Sequence, residues 1–493
     1  MAPDFNANRE LTHTLTHLID GQWVAGEGGE RLTIIDPSED RIIGYAHAGT
    51  PAEIDRAVRA AHAAFTSGPW SRIGPSARAG LILKLADLVE KHAEELAWLE
   101  TLNTGKPLAS ARGFDTVAAA ESLRYNAGWA TKLRGDTLNL TRAGDWHAFT
   151  ERGPIGVAGL IVPWNVPLAI TASKLGAALA AGCTVVLKPA EFTPLTALKL
   201  GALCNEAGIP PGVVNIVLGA GAVAGQALVE HPLVGKISFT GSTAVGRQIV
   251  RASASDFKRV SLELGGKSPV FIFDDADLER TIPAAAMGIF ANTGQVCAAG
   301  SRLYVHEKVF DKVIAGVVNI ANGLKLGSGF DASSQLGPLI SKGQKAKVLN
   351  YMASGIEDGA QMACGGDADG ARGYFVRPTV MVNTRMDMKM AREEIFGPVL
   401  STFPFGDSDS LDDLARLAND SVYGLAAGVW TENLKRAFAL TRRIQSGTVQ
   451  INTVLPPDPA VPFGGFKQSG IGKENGREGV EAFTELKTVI AQL

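Results

Sequence analysis

Between residues 155 and 263 the chain alternates short β-rich runs with helical runs, and no other feature restricts its fold as much. Strands are expected at 155–162, 184–188, 213–217, 236–239 and 259–263, separated by helices at 168–181, 194–207, 222–230 and 243–251. A strand, a helix and a second strand of such lengths form a right-handed crossover, which makes the strands parallel neighbours. The fold class is therefore α/β, and ligands of such sheets bind beyond the carboxyl ends of the strands. A second alternating region follows Gly265, with strands expected at 269–273, 302–306, 399–405, 427–430 and 447–451 and helices at 277–291 and 308–322. With 493 residues the chain is too long for one core, so the two regions are expected as separate domains.

Upstream, Thr50-Pro-Ala-Glu53 reads as a capping box opening a helix with Ile54, Val58, Ala61 and Phe65 on one face. A second amphipathic helix is expected from about 76 to 102. Residues 133–152 are polar with no core of their own, and are expected to reach another subunit. Residues 1–17, without the apolar stretch of a secretory signal, are expected as a short disordered arm.

Forty-seven basic against fifty acidic residues leave a charge of −3 with no block of like sign, so nucleic acid and anionic membranes are not expected as partners. No apolar run is long enough to span a membrane. The four cysteines are far apart, which suits a reducing cytoplasm and argues against a disulfide framework. The histidines show no metal-ligand spacing, so no metal site is expected, and no G-x-S-x-G motif marks a serine hydrolase.

Cys297 follows a Gly-Gln turn at the end of an apolar helix and is flanked by Ala298, Ala299 and Gly300, which leave room for a substrate. A lone cysteine is more often a buried small hydrophobe, the reading given to Cys183, Cys204 and Cys364. Glu263 ends a β-type run and is followed by Leu264 and two glycines, which lets backbone approach closely at the ligand edge of the sheet. A partly desolvated carboxylate there would have a raised pKa and could activate water, the alternative being a surface ion-pair partner.

Leu-Glu263-Leu-Gly-Gly-Lys-Ser, followed thirty-four residues later by Cys297 in a Gly-Gln-x-Cys context, resembles the paired signatures of the aldehyde dehydrogenase superfamily. Pro163-Trp-Asn-x-Pro167, Lys188-Pro-Ala-Glu191, Phe239-Thr-Gly-Ser242, Glu394-Ile-Phe-Gly-Pro398 and Pro462-Phe-Gly-Gly-x-Lys-x-Ser-Gly470 occur in that family's order. The resemblance implies that Cys297 attacks an aldehyde, that the Asn165 amide and the Cys297 N–H hold the oxyanion, and that Glu263 activates the water that hydrolyses the thioester. It also implies that Glu474 relays protons from Glu263. A Rossmann-like NAD-binding domain is implied over 1–133 and 153–264, a catalytic α/β domain over 265–466, and a small β arm and tail over 134–152 and 467–493 that pair subunits into a homodimer or homotetramer.

For the cofactor, Lys188 and Glu191 follow a strand and can reach ribose hydroxyls, the carboxylate favouring NAD with NADP as the alternative. Gly241, Ser242 and the helix start after Phe239 offer backbone N–H groups to a pyrophosphate, and Trp164 is implied nearby. Gly221, Gly225 and Leu264 complete that set. Glu394 resembles a holder of the nicotinamide ribose and Phe396 a residue pressing on the ring. Val166, Ile170 and Ser173, spaced along one helix face, match substrate-tunnel positions, closed opposite by Phe290, Val296, Leu455 and Phe463. Smaller residues at the first three positions point to a bulky, apolar aldehyde such as an arylacetaldehyde, a benzaldehyde or a terpenoid. The alternatives are a small or charged aldehyde such as a semialdehyde or betaine aldehyde, transfer of the acyl group to a thiol such as CoA, and a non-catalytic binding protein of the same fold. Esterase activity is expected as a side reaction.

Overall fold

Five parallel strands form where the alternation places them: Val157–Ile161, Thr184–Lys188, Val214–Ile216, Val234–Thr240 and Arg259–Glu263. The computed structural model describes residues 3–367 and 372–493. Val157–Ile161 lies between Thr184–Lys188 and Val234–Thr240, so the strand order reverses beside it and opens a crevice at the carboxyl ends. Val157–Ile161 and Thr184–Lys188 are buried throughout because helices cover both faces of the sheet, which is why they read as near-continuous apolar runs. His17–Ile19 and Gln22–Val24 extend one edge and Gly470–Ile471 the other, giving eight strands.

A second sheet of seven strands contains Pro269–Ile272, Arg302–His306, Val399–Phe405, Ala426–Trp430 and Thr448–Ile451 in parallel, with Thr379–Val382 and an antiparallel Gln361–Cys364 at one side. Thr484–Gln492 pairs along its length with Trp146–Pro154, which also pairs with Thr137–Leu138, forming a separate three-stranded sheet.

Three expectations need correction. The segment 1–17 is not a disordered arm over its described residues: Leu15 and His17 are fully buried, and Phe5 packs edge-on against Trp98 at 5.0 Å. The helix expected over 76–102 is two helices, Pro75–Lys91 and Ala93–Thr104, because His92 between them leaves the helical conformation. The tail expected at 467–493 is divided, since Gly470–Ile471 joins the first sheet beside Arg259–Glu263 and only Thr484–Gln492 belongs to the small sheet. The capping box forms as expected, with Thr50 and Glu53 each holding the other's backbone in front of the helix Pro51–Thr66. Among the described residues no helix is long and apolar enough to cross a membrane.

Candidate active site

The strand ends deliver the chemistry to one edge. Ile161 is in register with Lys188 and Phe239, and Thr240 with Glu263, so residues 162–165, Lys188, Gly241, Ser242 and Glu263 leave the sheet side by side. Gly241 N–H donates to the Glu263 carbonyl at 3.0 Å, tying two of these exits together.

Cys297 reaches the same place from the second region through a turn of unusual backbone. Asn292, Thr293 and Gly294 adopt φ of +49°, +56° and +69° in succession. A β-branched residue there is a true outlier, and left-handed non-glycine residues are destabilising by about 1–3 kcal/mol each. Thr293 Oγ1 donates to the Gly337 carbonyl at 2.8 Å, which helps to hold the turn. Cys297 is half-buried while Cys183 and Cys204 are fully buried. Burial, then the charges of Glu263 and Glu394, push its thiol pKa up to about 12, so the thiol needs a proton acceptor to become a nucleophile. Asn165 is buried at 7% exposure, and its Nδ2 donates to the Gln295 carbonyl at 2.8 Å. A Cβ on Gly266 would land on the Cys297 carbonyl, so only glycine lets the Glu263 strand pass this close to the thiol.

Glu263 is 4% exposed, and neither of its carboxylate oxygens has a hydrogen-bond partner. Burial first and the Glu474 carboxylate second raise its pKa well above the usual range, against the pull of Lys174 and Lys473. Glu474 is paired with the buried Lys174 and accepts from Ser238 Oγ at 3.2 Å. Lys174, Ser238, Ser261, Lys473, Glu474 and Asn475 line one small cavity.

Along the sheet edge, Lys188 is buried, donates to the Pro189 carbonyl at 2.8 Å and stands 3.7 Å from the half-exposed Glu191. Burial lowers its pKa. Gly225 lies against the Lys188 stem, and nothing lies within 4 Å of a Cβ built on Gly221. Ser242 caps the helix Thr243–Ser253 by accepting from Val245 N, leaving other N–H groups of the first turn free for an anion. Phe239 and Leu264 are buried beneath this helix in one cluster. Glu394 accepts from Gly266 N at 2.9 Å, and Phe396, at φ +59°, meets Trp164 edge-on at 5.3 Å. Gly266, Gly294, Val296, Glu394 and Phe396 border one narrow cleft.

Of the residues expected around a substrate, Val166, Ile170, Val296 and Phe463 are half-buried, and Leu455 is 63% exposed. Ser173 Oγ donates to Asn475 Oδ1 at 2.9 Å and lines the Glu474 cavity. Phe290 has no exposed surface at all. It ends the helix Leu278–Phe290 on the face packed into the core beneath the second sheet, with the exposed Ala291 following it, so it is not a tunnel wall.

The aldehyde dehydrogenase family model matches residues 23–489 of this chain. The chain belongs to that family. Phenylacetaldehyde dehydrogenase of Pseudomonas fluorescens is 45% identical over 482 residues, covering 96% of this chain and 95% of that protein. Cytosolic aldehyde dehydrogenase 1 of Rattus norvegicus is 45% identical over 489 residues, covering 99% and 96%. The NAD+ complex of an aldehyde dehydrogenase from Bacillus cereus superposes with a TM-score of 0.96 at 45% identity over 100% of both chains.

In this member of the aldehyde dehydrogenase family the structure adds residues that sequence reasoning did not single out. Burial raises the pKa of Glu394, and Lys347, on the helix Lys342–Glu357, is close enough to oppose that rise, while Gln344 on the same helix holds the Phe396 carbonyl at 2.8 Å. That helix was not foreseen, so neither residue carried a signal. Lys174 did carry one: a lysine inside an otherwise apolar helix demands a buried partner, and Glu474 is that partner.

Proposed function

We propose that the chain oxidises a bulky, uncharged, mainly apolar aldehyde to its carboxylic acid with NAD, through an acyl group carried on Cys297. The observation that carries the reading is the meeting of a half-buried thiol with a buried carboxylate whose oxygens are unpartnered. Glu263 takes the Cys297 proton, and Sγ adds to the aldehyde carbon. The Asn165 amide donates to the oxyanion that forms, as does the Cys297 N–H. Bound NAD supplies the acceptor for the hydride that leaves this carbon. The acyl group remains on Cys297 as a thioester; Glu263 first gives up the thiol proton toward Glu474 and then, again a carboxylate, draws a proton from the water that hydrolyses the thioester. Glu474 and Lys174 pass that proton away from Glu263.

The residues fit a dinucleotide. Lys188 is a buried ammonium with spare hydrogens beside Glu191, open space surrounds Gly221, and Glu394 and Phe396 border the cleft next to Val296. Ribose hydroxyls suit Lys188 and Glu191, whereas a ribose phosphate would meet the Glu191 charge, which supports NAD over NADP. The exposed apolar Val454, Leu455 and Val461 of the segment leading to Phe463, with the small, half-buried Val166, support an aryl or terpenoid aldehyde, as does the kinship with a phenylacetaldehyde dehydrogenase. We assign 1–133 and 153–264 to cofactor binding, 265–466 to catalysis and the three-stranded sheet to homodimer or homotetramer formation. The free thiols fit a reducing cytoplasm.

The test is a steady-state screen of aldehydes with NAD and NADP, alongside Cys297→Ser. Phenylacetaldehyde or a benzaldehyde should give the highest kcat/KM, with NAD preferred. A maximum at succinate semialdehyde or betaine aldehyde would remove the substrate assignment, and retained turnover in Cys297→Ser would remove the mechanism.

A further inference from the structure

Two residues before the thiol, Gln295 is 4% exposed and satisfies every polar atom it has on the turn and its surroundings. Its Nε2 donates to the Asn292 carbonyl at 3.2 Å and to the Pro338 carbonyl at 3.4 Å, and its Oε1 accepts from Ile340 N at 2.9 Å. Its own carbonyl accepts from Asn165 Nδ2 at 2.8 Å and from Asn292 Nδ2 at 3.3 Å. Asn292 Nδ2 also reaches the Asn165 carbonyl at 3.1 Å, closing a ring of bonds among the three residues.

We propose that Gln295 is a positioning residue that sets the nucleophile and the oxyanion donor relative to each other: its side chain pins the left-handed turn to the 338–340 segment while its carbonyl fixes the rotation of the Asn165 amide. The inference rests on the roles given to Cys297 and Asn165 above. An asparagine amide carries two N–H groups. The Gln295 carbonyl takes one, which aims the other at a fixed point in the site. Because the same residue anchors the strained turn that ends at Cys297, loss of its carboxamide lets the turn relax and uncouples the two groups. Gln295→Glu should act in the same direction, since an oxygen replacing Nε2 would face two carbonyl oxygens.

The test is a double-mutant cycle of Gln295→Ala and Asn165→Ala, read by kcat, by KM for the aldehyde, by NAD affinity from fluorescence titration and by thermal unfolding. Gln295→Ala should lower kcat by about 30–100-fold, the scale of a misplacement near 1 Å, with KM and the NAD Kd within about threefold. The double variant should be no more than about threefold slower than Asn165→Ala alone, because what the Gln295 side chain supplies is the alignment of Cys297 with the Asn165 amide, and that alignment is already lost once the amide is gone. Multiplicative losses, a Gln295→Ala enzyme within threefold of wild type, or a fall in NAD affinity parallel to the fall in kcat would each overturn the proposal. Should Gln295→Ala not fold, Gln295→Met keeps the length without the amide and carries the same expectations. If Asn165→Ala retained full activity, the oxyanion assignment would fall and this inference with it. A damaged Asn165→Ala beside an intact Gln295→Ala would remove the inference alone.

Discussion

Glu263, the base of the proposed function, sits where burial sets its charge against stability. Its two oxygens are buried without partners, and its pKa is raised by that burial and by Glu474. The neutral acid is the form the fold prefers, so the wild type loses stability as pH climbs from the ordinary value of 4.5 through the raised one. Glu263→Gln carries no such titration. Its melting temperature should match the wild type near pH 4 and exceed it increasingly toward pH 8 in thermal scans. Activity should move oppositely: steady-state NADH formation should fall by about 10²–10⁴-fold, the usual contribution of a general base. In the wild type, rate should rise with pH as the carboxylate forms. A variant turning over within tenfold of wild type, or one less stable at pH 8, would contradict the assignment.

The turn 292–294 places the thiol by holding a conformation its residues do not favour. A Cβ on Gly294 would sit on the Gly397 carbonyl, and φ there is +69°, so Gly294→Ala is both strained and obstructed. It should destabilise the chain by about 2 kcal/mol or more in denaturant titrations and reduce kcat at least tenfold. Unchanged unfolding with full activity would mean that the turn tolerates a side chain. Nothing in Asn-Thr-Gly announces three left-handed residues, because the conformation is imposed by partners such as Gly337, over forty positions away. Elements that depend on local pattern were readable. Thr184–Lys188, Arg259–Glu263, Arg302–His306 and Val399–Phe405 have the expected bounds, since three are runs of β-branched or aromatic residues closed by a turn or a charge and Arg259–Glu263 alternates apolar Val260 and Leu262 with polar neighbours. His17–Ile19 was missed because three residues carry too little alternation to register. Phe290 was misplaced because the helical face it occupies is decided by the core it meets, as its burial among Ile272, Leu303 and Val305 shows.

Across the whole molecule, the small sheet leaves apolar side chains in solvent. Leu138, Leu486 and Ile490 are 41%, 53% and 56% exposed, with Leu486 and Ile490 on one face of their strand. Leu486→Asp combined with Ile490→Asp should shift the molar mass from light scattering toward that of a single chain. An unchanged mass would move the subunit contact elsewhere. The motifs name residues that gather at one edge of the first sheet, but not the manner in which distant segments close it: Glu474 is brought to Glu263 where Gly470–Ile471 pairs antiparallel with Arg259–Glu263. That pairing also orders events during synthesis. The growing polypeptide leaves the ribosome with the flank of Arg259–Glu263 bare for the time taken to translate two hundred further codons, an open template for wrong partners. A message cut short before its last few dozen codons would therefore yield a sticky, half-built enzyme that holds its sulfur but lacks the strand that seals the neighbouring carboxylate.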